Sequence, residues 1–169
     1  AMRRLLFLSL CLSLCLGVEF YSQLQNTKVE RKVDLTSQLA RHTISTTVEN
    51  VGTQRTDVYY VSVEMESAVH LAFARVYDGE QNLLKFTYHP TPGNDYKLYR
   101  VDLSSALLPG ESVKLKIELV FSHRMKPFPE EITQSERHLV RYTDNHHFFS
   151  PYPTESVRTR IILSSASVQ

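Results

Sequence analysis

The 169-residue sequence has no tryptophan, only five glycines and only two cysteines, and both cysteines, Cys11 and Cys15, fall at its extreme N-terminal end. Beyond Cys15 there is no thiol to act as a nucleophile, to ligate zinc or to build a disulfide scaffold. Gly-x-Ser-x-Gly, a glycine-rich phosphate loop and His-Glu-x-x-His are all missing, so the common signatures of hydrolases, nucleotide binders and zinc proteases are missing too. Neither sign of charge dominates, with 19 Lys+Arg against 18 Asp+Glu, which excludes a strongly basic nucleic-acid binder and an acidic solvating tail. Asn26, Asn50, Asn82, Asn94 and Asn145 all lack a Ser or Thr two residues on, so no N-glycosylation acceptor is present. After Leu16 no apolar run approaches the ~18 residues of a spanning helix.

What is present divides into a leader and one domain. Met2-Arg3-Arg4 is a short basic start, Leu5 to Leu16 is an apolar stretch interrupted only by Ser9 and Ser13, and Cys15 and Gly17 supply small residues at the −3 and −1 positions of a cleavage site. This layout predicts a secretory signal peptide over residues 1–17, the alternatives being a signal anchor or a buried helix. Removing it leaves 17 basic against 18 acidic residues and no cysteine. The remaining residues 18–169 are read as one domain, large enough to bury roughly 68–70% of its unfolded surface. An apolar content of 42% with 17 Phe and Tyr excludes disorder.

Periodicity makes that domain all-β. Val113, Leu115, Ile117, Leu119 and Phe121 alternate with Lys114, Lys116 and Glu118, Ile44, Thr46 and Val48 alternate with Ser45 and Thr47, and Tyr59, Val61, Val63 and Met65 alternate with Ser62 and Glu64. A period of two puts one face of each strand in a core and the other in water. Further strands are predicted at Leu71–Tyr77, Leu83–Tyr88, Leu98–Leu103, Leu139–Tyr142 and Val157–Leu163. Asp78-Gly79 reads as a hairpin turn, and Pro92-Gly93-Asn94 and Pro109-Gly110 as further turns. The expected architecture is an antiparallel β-sandwich preceded by the signal helix, with short helical turns at Leu35–Arg41 and Glu130–Glu136.

Candidate chemistry is sparse. Adjacent His146 and His147 on a strand point to opposite faces, and His123 and His138 are distant in sequence, so no metal site is predicted. Glu130-Glu131 after Pro129 fits a solvated helix start, where acidic residues favour the dipole, better than an acid–base pair. Lys114, Lys116, Arg158 and Arg160 occupy outward strand positions that discourage edge-to-edge association, and a lipid-headgroup contact there stays open. The densest feature is Asp144-Asn145-His146-His147-Phe148-Phe149-Ser150-Pro151-Tyr152-Pro153-Thr154. An aromatic, proline-bearing loop of this kind is either a protein-contact surface or a plug for one end of the sandwich core.

Ile132-Thr133-Gln134-Ser135-Glu136, Val140, Asn145, Phe148 and Ser150-Pro151-Tyr152-Pro153-Thr154 together resemble the ribophorin I family, and Val33-Asp34-Leu35, Leu108-Pro109-Gly110-Glu111, His123 and Pro127-Phe128-Pro129 are also similar. The resemblance runs from about Val29 to the C-terminus. It implies a non-catalytic subunit of the eukaryotic oligosaccharyltransferase complex, which transfers a preassembled oligosaccharide from dolichyl diphosphate to Asn in Asn-x-Ser/Thr of nascent chains. It further implies an endoplasmic-reticulum type I membrane protein whose lumenal part begins with this domain, its span lying outside the present sequence. The implied partners are the other subunits, including the catalytic one, together with nascent polypeptides and the translocon, and no nucleic acid. No catalytic residue, metal ligand or cofactor is carried over. Gln134, Ser135, Glu136, Asn145, Phe148, Phe149, Ser150, Pro151, Tyr152 and Pro153 are the motif residues expected to form an interaction surface. The competing expectation is a stand-alone secreted β-sandwich binding module.

Overall fold

The computed structural model describes residues 23–131 and 139–164, so the leader over residues 1–17 and the motif residues Ile132, Thr133, Gln134, Ser135 and Glu136 lie outside the described residues, as does His138. Ten strands follow in order: β1 (Leu24–Asp34), β2 (Ala40–Asn50), β3 (Thr56–Glu64), β4 (Leu71–Asp78), β5 (Lys85–His89), β6 (Tyr96–Leu107), β7 (Ser112–Phe121), β8 (Met125–Phe128), β9 (Leu139–Tyr142) and β10 (Val157–Ile162), with one helical turn, α1 (Met65–Ala68), after β3. They form a five-stranded sheet in the order β10-β1-β2-β7-β4, a three-stranded sheet in the order β3-β6-β5, and a separate β8-β9 hairpin. All pairs are antiparallel except β10 with β1, which is parallel.

Alternation in β7 places Leu115, Ile117, Leu119 and Phe121 in the core. The register sets Ile117 between Ile44 on β2 and Val76 on β4, each of them buried. Tyr59 and Val61 of β3 and Leu98 and Val101 of β6 belong to the same apolar cluster, so the two larger sheets share one core. Burying a side chain such as Ile117 contributes about 1.5–3 kcal/mol. That outweighs any of the exposed ion pairs, such as Lys28–Glu30 at 2.8 Å, each worth roughly 0–1 kcal/mol. Lys114, Lys116, Arg158 and Arg160 stand on the opposite, outer face of the five-stranded sheet, where Lys116 pairs with Glu118 at 2.8 Å.

Several expectations are corrected. Leu35–Arg41 holds no helix: the Asp34 carboxylate accepts from the Thr36 N–H at 3.1 Å and the Thr36 hydroxyl at 2.7 Å, which turns the chain directly into β2. β1 was not anticipated, nor was β8. Asp78-Gly79 is not a two-residue hairpin turn. Asp78 instead organises a five-residue loop, accepting from the N–H groups of Glu80 and Asn82 (both 2.9 Å) and from the Ser104 hydroxyl (2.6 Å). Hydrogen bonds from Ser104 and Asn82 hold its carboxyl at about 2, and the left-handed position falls on Gln81. The loop therefore carries the chain from β4 in one sheet to β5 in the other. Pro92-Gly93-Asn94 and Pro109-Gly110 do turn, with Gly93 at φ 81° and Gly110 at φ 79°, values that favour glycine. Glu130 and Glu131 are exposed and non-helical. Finally, β3 is buried on both faces from Val58 to Val63, not one, and Met65 leaves the strand to begin α1.

Candidate functional site

The double burial of β3 follows from the aromatic loop. β3 is an edge strand, and an open edge presents unpaired backbone groups. The Tyr60 N–H of that edge donates to the Tyr152 hydroxyl at 2.9 Å, and the Ser62 hydroxyl donates to the Phe149 carbonyl at 3.1 Å. Tyr152 is buried and stacks on Tyr59, ring centres 4.9 Å apart. Phe149 meets Tyr96 edge-on at 5.7 Å and stays partly exposed. The loop thus wraps the free edge of the smaller sheet.

Its other attachment is Asn26, fully buried on β1. The Asn26 N–H donates to the Pro153 carbonyl at 2.9 Å, and the Asn26 carbonyl accepts from the Glu155 N–H at 3.0 Å. Its side-chain amide donates to the Ser150 hydroxyl (2.9 Å) and the Thr154 hydroxyl (3.1 Å). Its side-chain oxygen accepts from Tyr59 (3.0 Å) and Thr46 (3.3 Å). Every donor and acceptor of this asparagine is used, and it joins both sheets to the loop. Burial pushes the Tyr59 phenol well above its ordinary value, with the bonds to Ser150 and Asn26 opposing, so it is a neutral donor. Asn50 is a second buried asparagine of this type, donating to the carbonyls of Gln54 (2.7 Å) and Leu107 (2.9 Å) and so tying β2 to the end of β6.

At the start of the loop lies a polar cluster. Arg31 donates to the Asn145 carbonyl at 2.7 Å and sits 3.6 Å from the Asp144 carboxylate. His42 Nε2 is 2.7 Å from the Tyr142 hydroxyl and 3.7 Å from Asp144. Burial drives the His42 imidazole down to about 4, Arg31 and Arg124 push the same way, and Asp144 opposes them. Burial, and then the Asp144 charge, push the Tyr142 phenol above its usual range. The imidazole and phenol are therefore neutral at physiological pH, and the cluster acts as a clasp holding the loop against β1 and β2.

The structure brings Asn145, Phe148, Phe149, Ser150, Pro151, Tyr152 and Pro153 together along this loop. Phe148 is half-buried and packs on the core, Ser150 and Pro151 are half-buried, and Asn145, Phe149 and Pro153 are on the exposed side. The Asn145 amide also donates to Glu64 at the end of β3. Gln134, Ser135 and Glu136 lie outside the described residues. His146 and His147 are both exposed, and among the described residues no three His, Cys, Asp or Glu could share a metal ion. Among them, too, no helix is long and apolar enough to cross a membrane. The residues that sequence reasoning missed are Asn26, Arg31 and His42. Their signal is a polar side chain at an inward position of a β-alternating run.

The ribophorin I family model matches residues 24–169. Over 173 residues the chain is 30% identical to dolichyl-diphosphooligosaccharide–protein glycosyltransferase subunit 1B of Arabidopsis thaliana, covering 95% of this chain and 37% of that protein. It is also 30% identical to subunit 1A of the same plant, covering 98% of this chain and 28% of that protein. The chain therefore spans about a third of the length of these relatives. Among solved structures it is similar to native yeast LTA4 hydrolase, with a TM-score of 0.51 and 8% identity over 83% of this chain and 22% of that one, a likeness of fold alone. With the family match extending from the first residue of β1 through β10, the chain belongs to the ribophorin I family.

Proposed function

We propose that the chain is the N-terminal lumenal domain of an accessory, non-catalytic subunit of the oligosaccharyltransferase complex of the endoplasmic-reticulum membrane. In this reading residues 1–17 are a cleaved signal peptide and residues 18–169 precede further lumenal sequence and a membrane span. The observation that carries it is the family match over residues 24–169, supported by two relatives named as subunits 1A and 1B of that transferase. The chemistry of the loop agrees. Beside it, buried His42 and half-buried Tyr142 are held neutral and support the fold, and the exposed side, Asn145, Phe149 and Pro153, is what the loop offers to neighbouring subunits or acceptor chains.

The test uses the full-length protein, tagged at its C-terminus in microsomes. Co-purification with the catalytic subunit, loss of Asn-x-Ser/Thr glycosylation on its depletion, and no oligosaccharide transfer by the purified protein alone are expected. Secretion as a free protein without association with the complex would favour the stand-alone module instead, and turnover of the dolichol-linked donor by the protein alone would refute the non-catalytic role.

A further inference from the structure

The β8–β9 hairpin is fixed to the body at its base. There Tyr142 meets His42, and Arg124, just before β8, donates to the Thr143 carbonyl at 2.6 Å and to Glu66 at 3.2 Å. Farther out, the register sets Lys126 directly opposite Arg141 and Phe128 opposite Leu139. Residues two apart on a strand share a face, so the two cations and Phe128 lie on one side. Like charges directly opposite destabilise an antiparallel pair, and a lone two-stranded hairpin has little stability to spare. Among the described residues no carboxylate lies within 4.0 Å of either cation. Arg141 instead lies 5.7 Å from the centre of the Phe128 ring. A stacked guanidinium keeps its in-plane donors available for a carboxylate. Phe128 is 48% exposed, and Val140 on the other face is 62% exposed.

A repulsive pair beside an exposed aromatic is unfavourable in the free domain and becomes favourable once a carboxylate-bearing surface covers it. We propose that the β8–β9 hairpin docks an acidic polypeptide segment of a partner protein, carboxylates meeting Lys126 and Arg141 and an apolar side chain lying against Phe128. The proposal deepens the subunit reading and rests on it by making that partner another subunit. An anionic bilayer fits less well. Exposed Glu130 and Glu131 directly follow Phe128-Pro129 and would repel anionic headgroups, whereas a polypeptide segment can place its carboxylates beside the strands.

The test places a photo-crosslinking benzoylphenylalanine at position 128 of the full-length protein in microsomes and maps its adducts. An adduct on an acidic stretch of another polypeptide is expected, falling about fivefold or more with Lys126→Glu/Arg141→Glu, which keeps the cross-strand repulsion but inverts its sign. The single variant Lys126→Glu separates docking from folding, because it pairs with Arg141 and steadies the free hairpin yet should also lose adduct. No adduct, an adduct on lipid or on a neutral or basic segment, or adducts unchanged in both variants would overturn the proposal. An acidic adduct on a protein outside the transferase complex would sink the subunit reading while leaving the hairpin's role standing. Unchanged adducts with intact co-purification of the transferase subunits would do the reverse.

Discussion

The β8–β9 hairpin and the loop that follows it are both rich in proline and aromatic residues. The loop over residues 144–154 is drawn into the body, while β8–β9 forms a separate two-stranded sheet of half-buried and exposed residues. Composition does not separate them: one carries Phe148, Phe149, Pro151, Tyr152 and Pro153, the other Pro127, Phe128, Pro129 and Tyr142. What separates them is the supply of polar partners. The loop finds Asn26, Tyr60 and Ser62 waiting for its hydroxyls and carbonyls, whereas among the described residues the outer half of the hairpin finds no such partners and keeps Phe128 exposed. An aromatic loop becomes part of a core when its backbone and hydroxyl groups can be satisfied there, because a buried unpaired polar group costs about 1–3 kcal/mol.

The sharpest way to break this comparison is to truncate one aromatic in each segment. Tyr152→Ala removes a buried ring stacked on Tyr59 and opens the edge of β3, so a loss of about 3–5 kcal/mol is expected in urea unfolding. Phe128→Ala, at a half-exposed position on a weakly held hairpin, should stay within roughly 1 kcal/mol. Equal shifts in the unfolding midpoint would mean that the two segments are not energetically distinct.

A second way uses pH, because the clasp between the two segments contains His42. Its folded value of about 4 lies below the ~6.5 of an unfolded histidine. Between those values the unfolded chain binds the extra proton, so stability is full above about pH 6.5 and declines as pH falls toward 4. The whole shift corresponds to about 3 kcal/mol, with the opposing Asp144 charge already included. His42→Gln should remove this component, so the gap between wild type and variant should narrow steadily from about pH 7 to about pH 4.5. A gap constant with pH would show that the imidazole is not held neutral in the clasp.

How much of this was legible in the sequence depends on whether a strand's alternation stays in phase. β2 and β7 were read directly because their inward residues keep one parity throughout. β1 was invisible because a bulge between Asn26 and Lys28 shifts its register: Leu24 and Asn26 point inward, then Val29, Arg31 and Val33. Two of those five are polar, and only the tertiary partners reveal why they are tolerated. The parallel pairing of β10 was equally hidden, since it depends on the loop crossing from β9 to the far side of β1. Of the two readings of the loop, plug or contact surface, composition could not choose. The burial of Tyr152 and the bonds to Asn26 put its inner side in the core, while its exposed side stays available for contact. β8 escaped notice because Pro127 and Pro129 mark an edge or turn rather than a strand.

The smallest effect is the most specific. Tyr152→Phe keeps the ring on Tyr59 and removes only the hydroxyl that receives the Tyr60 N–H. If the loop were held by apolar packing alone, the substitution would be nearly silent. If polar satisfaction decides which aromatic segment enters the core, the lost bond should cost about 1–2 kcal/mol. It should also speed amide exchange at Tyr60 more than at Val61, whose strand neighbour is Tyr99 on β6 and not the loop. Exchange that rises equally at both residues would point to general loosening of β3, and the single hydrogen bond would lose its place in the explanation.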